Sequence, residues 1–329
     1  MNIRISQPLC FSEQGQKDNQ EDALFPHQGD ATVHSSVLMV CDGMGGHEHG
    51  EVASRCVADT IGDYLSTTPS CSVASMRVQF EAALTKTYQT LDELDNSTSP
   101  RKMGTTLTFL AICTDGILIA HIGDSRVYQM RRKEGVVFQT HDHSLLNELI
   151  ASGELDEEGA NHFGQKNVIT RAVMPHQEYP SKATFKVVTD IREGDIFFLC
   201  SDGIVEQIDN KDLTRILLED APLQNRLDLL KSECEKRNTR DNHSCYAFEV
   251  EKAEGTVVKN EAATENKTVY NHIPPRLRRF LLWALAALIL VIALSMWMGR
   301  NHGNRKEQIQ KSEQVPNVQG PITRDKKIK

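Results

Sequence analysis

Five short segments of this 329-residue chain combine carboxylates with glycine or small polar residues. They are Asn19-Gln20-Glu21-Asp22, Asp42-Gly43-Met44-Gly45-Gly46-His47, Gly123-Asp124-Ser125-Arg126, Ser201-Asp202-Gly203 and Asp241-Asn242. Asp42, Asp124, Asp202 and Asp241 adjoin runs that read as strands: Asp42 directly follows VLMVC, and Asp202 follows IFFLCS. Strand ends that each deliver a carboxylate to one place create a cluster that repels itself unless cations neutralise it. An all-oxygen donor set suits Mn2+ or Mg2+, whereas zinc calls for His or Cys. Two such ions about 4 Å apart can hold a bridging hydroxide and clamp a phosphoryl oxygen for in-line attack. A glycine after Asp42 and after Asp202 lets the backbone turn and brings its carbonyl within reach of an ion. Taken singly, each aspartate reads as a turn residue or helix cap, and the Gly123–Arg126 segment as a tight turn. The case for metal chemistry rests on their conjunction.

The elements that must position these residues are legible as apolar patterns. Val37–Cys41, Thr106–Cys113, Ile117–Ile122, Val127–Met130, Phe185–Val188, Ile196–Cys200 and Tyr246–Val250 are short, rich in β-branched and aromatic residues, and bounded by turn formers. Ala53, Val57, Ile61 and Leu65 recur at helical spacing, as do Phe80, Leu84, Tyr88 and Leu91. A further helical segment is expected from Leu213 to Arg237. Two consecutive helices enclosed by many strands predict an α+β sandwich rather than an alternating βαβ fold.

The ordered set NQED, DGMGGH, GTTLTF, GDSR, SDGI and DN, spread over residues 1–250, resembles the PPM family of metal-dependent type 2C Ser/Thr protein phosphatases, its bacterial branch most closely. The resemblance implies a central β-sandwich flanked by helices and hydrolysis of phosphoserine and phosphothreonine on proteins by a metal-activated bridging water, opposing a Ser/Thr kinase. It also implies Mn2+ or Mg2+ as two catalytic ions, with a third, weaker one. Residue by residue, Asp42 would bridge the two ions, the Gly43 carbonyl would ligate one, and Asp202 and Asp241 would complete the other's shell. Asp22 would act through bound waters beside Glu21, and Asp124 would hold the third ion. Residues 145–175 resemble the flap beside the site that influences substrate choice. Two departures stand out. Bacterial relatives carry Arg where this chain has Lys17, which keeps the charge on the substrate phosphate but loses the bidentate fork. The last strand begins Asp241-Asn242-His243-Ser244, with His where Ile or Met is usual. His47 reads as structural, and His141 and His143 as loop residues that support the flap. The rival readings are a non-catalytic sensor of the same fold and an enzyme acting on a small phosphate ester.

Charge is unevenly distributed. Residues 271–329 hold 11 Lys/Arg and 3 Asp/Glu, against 26 and 42 in the rest of the chain. The acidic main body argues against nucleic acid as a partner. Phe280 to Met298 is a run of 19 residues without a charge, near the roughly 20 that cross a bilayer. Trp283 and Trp297 sit near its ends, Arg276, Arg278 and Arg279 precede it, and Arg300 follows. The expected organisation is therefore a phosphatase domain (1–250), a polar linker and basic juxtamembrane segment (251–279), a transmembrane helix (280–298) and a basic tail (299–329). The protein is expected in the membrane, single-pass, with its catalytic domain cytoplasmic. Eight cysteines without a CxxC spacing read as free thiols.

Overall fold

The structure is a computed structural model, and it describes residues 2–45, 49–96, 102–156, 159–160, 163–165 and 168–255. The chain divides into two units, Met1–Asn260 and Glu261–Lys329. The expected membrane span at 280–298 and the basic tail lie outside the described residues. Among the described residues, no helix is long and apolar enough to cross a membrane.

The first unit stacks two antiparallel sheets between helices. One sheet runs β1 (Asn2–Ile5), β12 (His243–Glu254), β11 (Ile196–Cys200), β8 (Arg126–Arg131), β9 (Gly135–Gln139), with β2 (Leu9–Glu13) also on β12. The other runs β10 (Thr184–Val188), β7 (Gly116–Ile122), β6 (Leu107–Cys113), β4 (Val37–Met44), β3 (Asp22–Phe25), with β5 (Gly104–Thr105) on β4. The central strands are apolar on both faces because each face has a partner. In β4, Leu38 and Val40 enter the core between the sheets, while Val37, Met39 and Cys41 join Val57, Ile61, Phe80 and Leu91 of α1 (Gly50–Ser66) and α2 (Val73–Leu94). In β11, Phe197 and Leu199 point inward; Ile196, Phe198 and Cys200 pack on Leu213, Ile216, Leu227 and Leu230. The alternation follows from the two-residue period of a strand. Three apolar layers result, and the expected α+β sandwich with flanking helices is the observed architecture.

Two local expectations change, and one segment gains a structure. Leu213–Arg237 is two helices, α5 (Asn210–Leu217) and α6 (Leu223–Lys236), because Pro222 cannot continue the first and suits the start of the second. The last strand begins at His243 and extends past residue 250 to Glu254, because β1 pairs along it from Asn2↔Glu254. The segment after Ser144 opens with α3 (Leu145–Ser152), capped by the Ser144 hydroxyl, which accepts the Asn147 N–H. All eight cysteines are free thiols.

Candidate metal centre

The carboxylate segments converge at one end of the sandwich. Asp22 opens β3 and Asp42 lies near the end of β4, and the antiparallel register sets them directly opposite each other. Like charges in that position destabilise a sheet. From the facing sheet, β11 ends at Cys200 and delivers Asp202 at the start of the one-turn helix α4 (Asp202–Val205), while Asp241 precedes β12. The β7–β8 turn supplies Asp124.

Short polar bonds hold each ligand-bearing segment. The Asp42 N–H donates to Thr106 Oγ1 at 3.0 Å, and the Asp42 carbonyl accepts from the Thr106 N–H at 2.8 Å and Thr105 Oγ1 at 2.9 Å. Ser201 Oγ donates to Asp22 Oδ2 at 2.8 Å and accepts from the Ser244 N–H at 2.9 Å, tying β3 to both strands of the other sheet. The glycines after the aspartates act differently from expectation. Neither Gly43 nor Gly203 has a positive φ. Instead, a Cβ on Gly43 would lie 2.3 Å from the Gly50 carbonyl oxygen, and one on Gly203 2.1 Å from that of Asn242. Close approach, not turn geometry, demands glycine at both positions.

Electrostatics marks the cluster as one that seeks positive charge. Burial pushes Asp22 up to about 7; the fields of Asp202 and Asp241 add to this, and hydrogen bonds from Ser244 and Ser201 oppose it. Burial first, then Asp202 and Asp22, holds Asp42 well above the usual carboxylate range. Burial also raises Asp202, and lifts Asp124 to about 7 with help from Asp202 and Asp142. Lys17 Nζ lies 2.8 Å from Asp241 Oδ1. Partial burial pulls its ammonium pKa down, but the bond to Asp241 and the fields of Asp241, Glu21 and Asp42 raise it on balance.

The donor set fits Mn2+ or Mg2+. Asp22 Oδ1 is buried without a hydrogen-bond partner, an orphan of the kind a cation or its water satisfies. Among the described residues, no three His, Cys, Asp or Glu side chains are gathered tightly enough to cage an ion as they stand. Mg2+-type sites complete their shells with water.

Comparison with known proteins agrees with this geometry. A family model described as protein phosphatase 2C matches residues 12–233. The chain belongs to the protein phosphatase 2C family. It is a metal-dependent protein phosphatase by that membership. Protein phosphatase PhpP of Streptococcus pneumoniae is 33% identical over 220 residues, covering 67% of this chain and 87% of that protein. A Streptococcus agalactiae serine/threonine phosphatase structure superposes with a TM-score of 0.65 at 28% identity, covering 74% of this chain and 99% of that one. The catalytic domain of the phosphatase PstP, solved with two manganese ions, gives 0.60 at 25% identity, covering 76% and 100%.

The structure thus brings Asp22, Asp42, Gly43, Asp202, Asp241 and Lys17 to one end of the sandwich, with Asp124 beside Asp202. His47 lies outside the described residues. Asn242, part of the DN segment singled out in the sequence, has a positioning role that only the fold shows. Its Oδ1 accepts the Glu21 N–H at 2.8 Å, and its Nδ2 donates to the carbonyls of Gln14 at 2.8 Å and Asn19 at 2.9 Å. One buried amide thereby fastens the loop carrying Lys17 and Glu21 to the base of Asp241. Asn242→Ala removes the partner of three backbone groups, two of them on exposed residues that water can reach, and is expected to cost about 1–2 kcal/mol of stability. It should also lower kcat/KM by roughly 10–100-fold through misplacement of the loop. Thermal unfolding and phosphopeptide kinetics on the same preparation check both.

Proposed function

We propose that this protein hydrolyses phosphoserine and phosphothreonine on other proteins at the cluster formed by Asp22, Asp42, Gly43, Asp202 and Asp241. The observation that carries the reading is the face-to-face pair of Asp22, buried, and Asp42, partly buried, with Asp202 of the facing sheet beside them. In this reading Asp42, the Gly43 carbonyl, Asp22, Asp202 and Asp241 would hold two divalent cations, and Asp124 would serve a third. Bound Mn2+ or Mg2+ lowers the pKa of water and neutralises the phosphoryl oxygens. The protein's own residues hold and orient. Thr106 fixes the backbone of Asp42, and Ser201 keeps one oxygen of Asp22 engaged. Water oxygen joins phosphorus as the bond from phosphorus to the Ser or Thr oxygen breaks; the water gives up a proton, the departing oxygen takes one up, and free hydroxyl and inorganic phosphate result with no group on the protein phosphorylated.

Lys17, half-exposed at the rim and 2.8 Å from Asp241, is placed to meet the substrate phosphate. Lys17→Gln is expected to raise KM by roughly tenfold with little change in kcat, since a charge-assisted bond is lost. Lys17→Arg should lower KM by a few fold through bidentate contact. Steady-state kinetics on a phosphothreonine peptide reads both.

The substrate reading is supported by the names of the relatives and tested by competition. The full chain should cleave phosphothreonine and phosphoserine peptides with far higher kcat/KM than sugar phosphates. The reverse order would favour the small-ester enzyme. A cognate Ser/Thr kinase is the implied partner. For location, the uncharged run 280–298 with its flanking tryptophans and arginines supports a single membrane span with the phosphatase domain on the cytoplasmic side. Release of the full chain from membranes by alkaline carbonate would contradict this.

A further inference from the structure

Two neutral imidazoles stack behind the Asp124 turn. The rings of His121 and His143 lie 4.5 Å apart and within 1° of parallel. Their residues are 4% and 9% exposed, so neither ring is free to turn in solvent. His143 is joined to Gly123 twice: its N–H donates to the Gly123 carbonyl at 2.9 Å, and its Nδ1 accepts the Gly123 N–H at 3.1 Å. Because Gly123 can only donate there, Nδ1 carries no proton and the ring proton sits on Nε2. From Nε2 the proton points to Thr184 Oγ1, 2.8 Å away. Thr184 is the residue opposite His121 in the β10–β7 register, so stack and hydrogen bond fix the ring against the same pair of strands. Gly123 itself stands at φ +102°, and a Cβ would lie 2.7 Å from Thr106 Cγ2. The turn that carries Asp124 is therefore held from below by Thr106 and from the side by His143.

The other end of this arrangement is the flap. The His143 carbonyl accepts the Thr170 N–H at 2.8 Å, the Leu145 N–H donates to the Val168 carbonyl at 2.8 Å, and Ser144 bridges Ile169. One residue earlier, Asp142 takes Arg126 in a bidentate pair at 2.8 and 2.7 Å. Residues 142–145 thus touch the flap's return segment on one side and both ends of the Gly123–Arg126 turn on the other.

We propose that His143 is a positioning residue that couples the flap to Asp124. By accepting the Gly123 N–H, it sets where the Asp124 carboxylate stands relative to Asp202, and a substrate that shifts the flap shifts that carboxylate with it. The proposal rests on the reading of Asp124 as the ligand of the weakest cation. Partners outside the ligand shell commonly change metal affinity by about 10–100-fold when removed, and a coupling claim needs a measured coupling rather than spatial continuity.

The test uses the full chain and four variants: Asp124→Asn, His143→Ala, His143→Asn and Thr184→Val. Mn2+ binding is followed by calorimetry, with phosphothreonine-peptide kinetics and thermal unfolding alongside. Asp124→Asn should abolish the weakest Mn2+ class. His143→Ala should weaken that class by about tenfold and lower kcat at sub-saturating Mn2+. His143→Asn places an oxygen where Nδ1 stood and should restore the class to nearly wild-type affinity, whatever it does to Tm. Thr184→Val, which keeps the Gly123 bond but frees the ring, should fall between them. Saturating phosphopeptide should alter the affinity of the weakest class in wild type and not in His143→Ala. If His143→Ala and His143→Asn lose stability alike while Mn2+ binding stays unchanged, the histidine is structural and the coupling is overturned. An Asp124→Asn variant with intact Mn2+ binding would instead remove the reading beneath the proposal, leaving the Asp42 site untouched.

Discussion

Asp42→Asn should leave the protein catalytically dead and, stripped of metal, more stable than wild type. Loss of the carboxylate that spans both cations forfeits several kcal/mol of transition-state stabilisation, so kcat is expected to fall at least about 10^3-fold. The stability gain has a separate origin. Asp42 faces Asp22 across the β3–β4 register and neighbours Asp202, and burial and those two charges raise its pKa, so that its carboxylate is costly there. An amide occupies the same space without a charge to neutralise. In EDTA, Tm should rise by a few degrees, in keeping with the stability that active sites commonly forgo. With Mn2+ the order should invert, since only wild type gains from binding. An ordinary core aspartate would show lost stability in both conditions, so a lower Tm in EDTA would argue against a repulsive cluster at this site.

The second expectation concerns pH. Asp22 and Asp124 stand at about 7 in the folded state against 3.8 for the unconstrained side chain. Between those values the folded protein binds more protons than the unfolded chain, so metal-free stability falls as pH rises from about 4 to about 7. This is the opposite of the usual salt-bridged carboxylate. Cations reverse the trend, because they bind the deprotonated site and must displace protons below pH 7. At pH 8 and a free Mn2+ of 100 times its dissociation constant, binding adds about 2.7 kcal/mol. For a domain of this size that is a rise in Tm of roughly 5–10 °C. At pH 5 each proton to be displaced weakens binding by about 100-fold, so the same Mn2+ should shift Tm by little. Differential scanning calorimetry at both pH values, with Mn2+ and with EDTA, reads the effect. A Mn2+ shift independent of pH would mean that the ion binds elsewhere.

The strands that build the two inner layers were legible in the sequence because β4, β6, β7 and β11 are covered on both faces and so read as unbroken apolar runs. β1, β2, β3 and β9 were not, since they are short and mostly half-exposed, and their pairing depends on partners far away in the chain. The helix break at Pro222 is visible to backbone chemistry, but the apolar residues on either side continue in a helical rhythm that hides it. The site divides the same way. Aspartates at strand ends announce themselves by position, and the family resemblance assigns them roles. Asn242 lies in the DN segment and His143 reads as a loop residue supporting the flap, but nothing local tells that the first joins Glu21 across 221 residues or that the second braces Gly123. Short polar side chains reveal such roles only once the chain has folded around them.

The central claim is that carboxylates from both sheets form a divalent-metal centre that removes phosphate from proteins. The most direct measurement is phosphate release from a phosphothreonine peptide by the purified full chain, with Mn2+, with EDTA, and with Asp202→Ala and Asp241→Ala beside wild type. Turnover that needs Mn2+, stops in EDTA and is lost in both variants is the expected result. Turnover that survives EDTA or either substitution would contradict the account, and so would a folded chain that binds Mn2+ and releases no phosphate from any phosphopeptide.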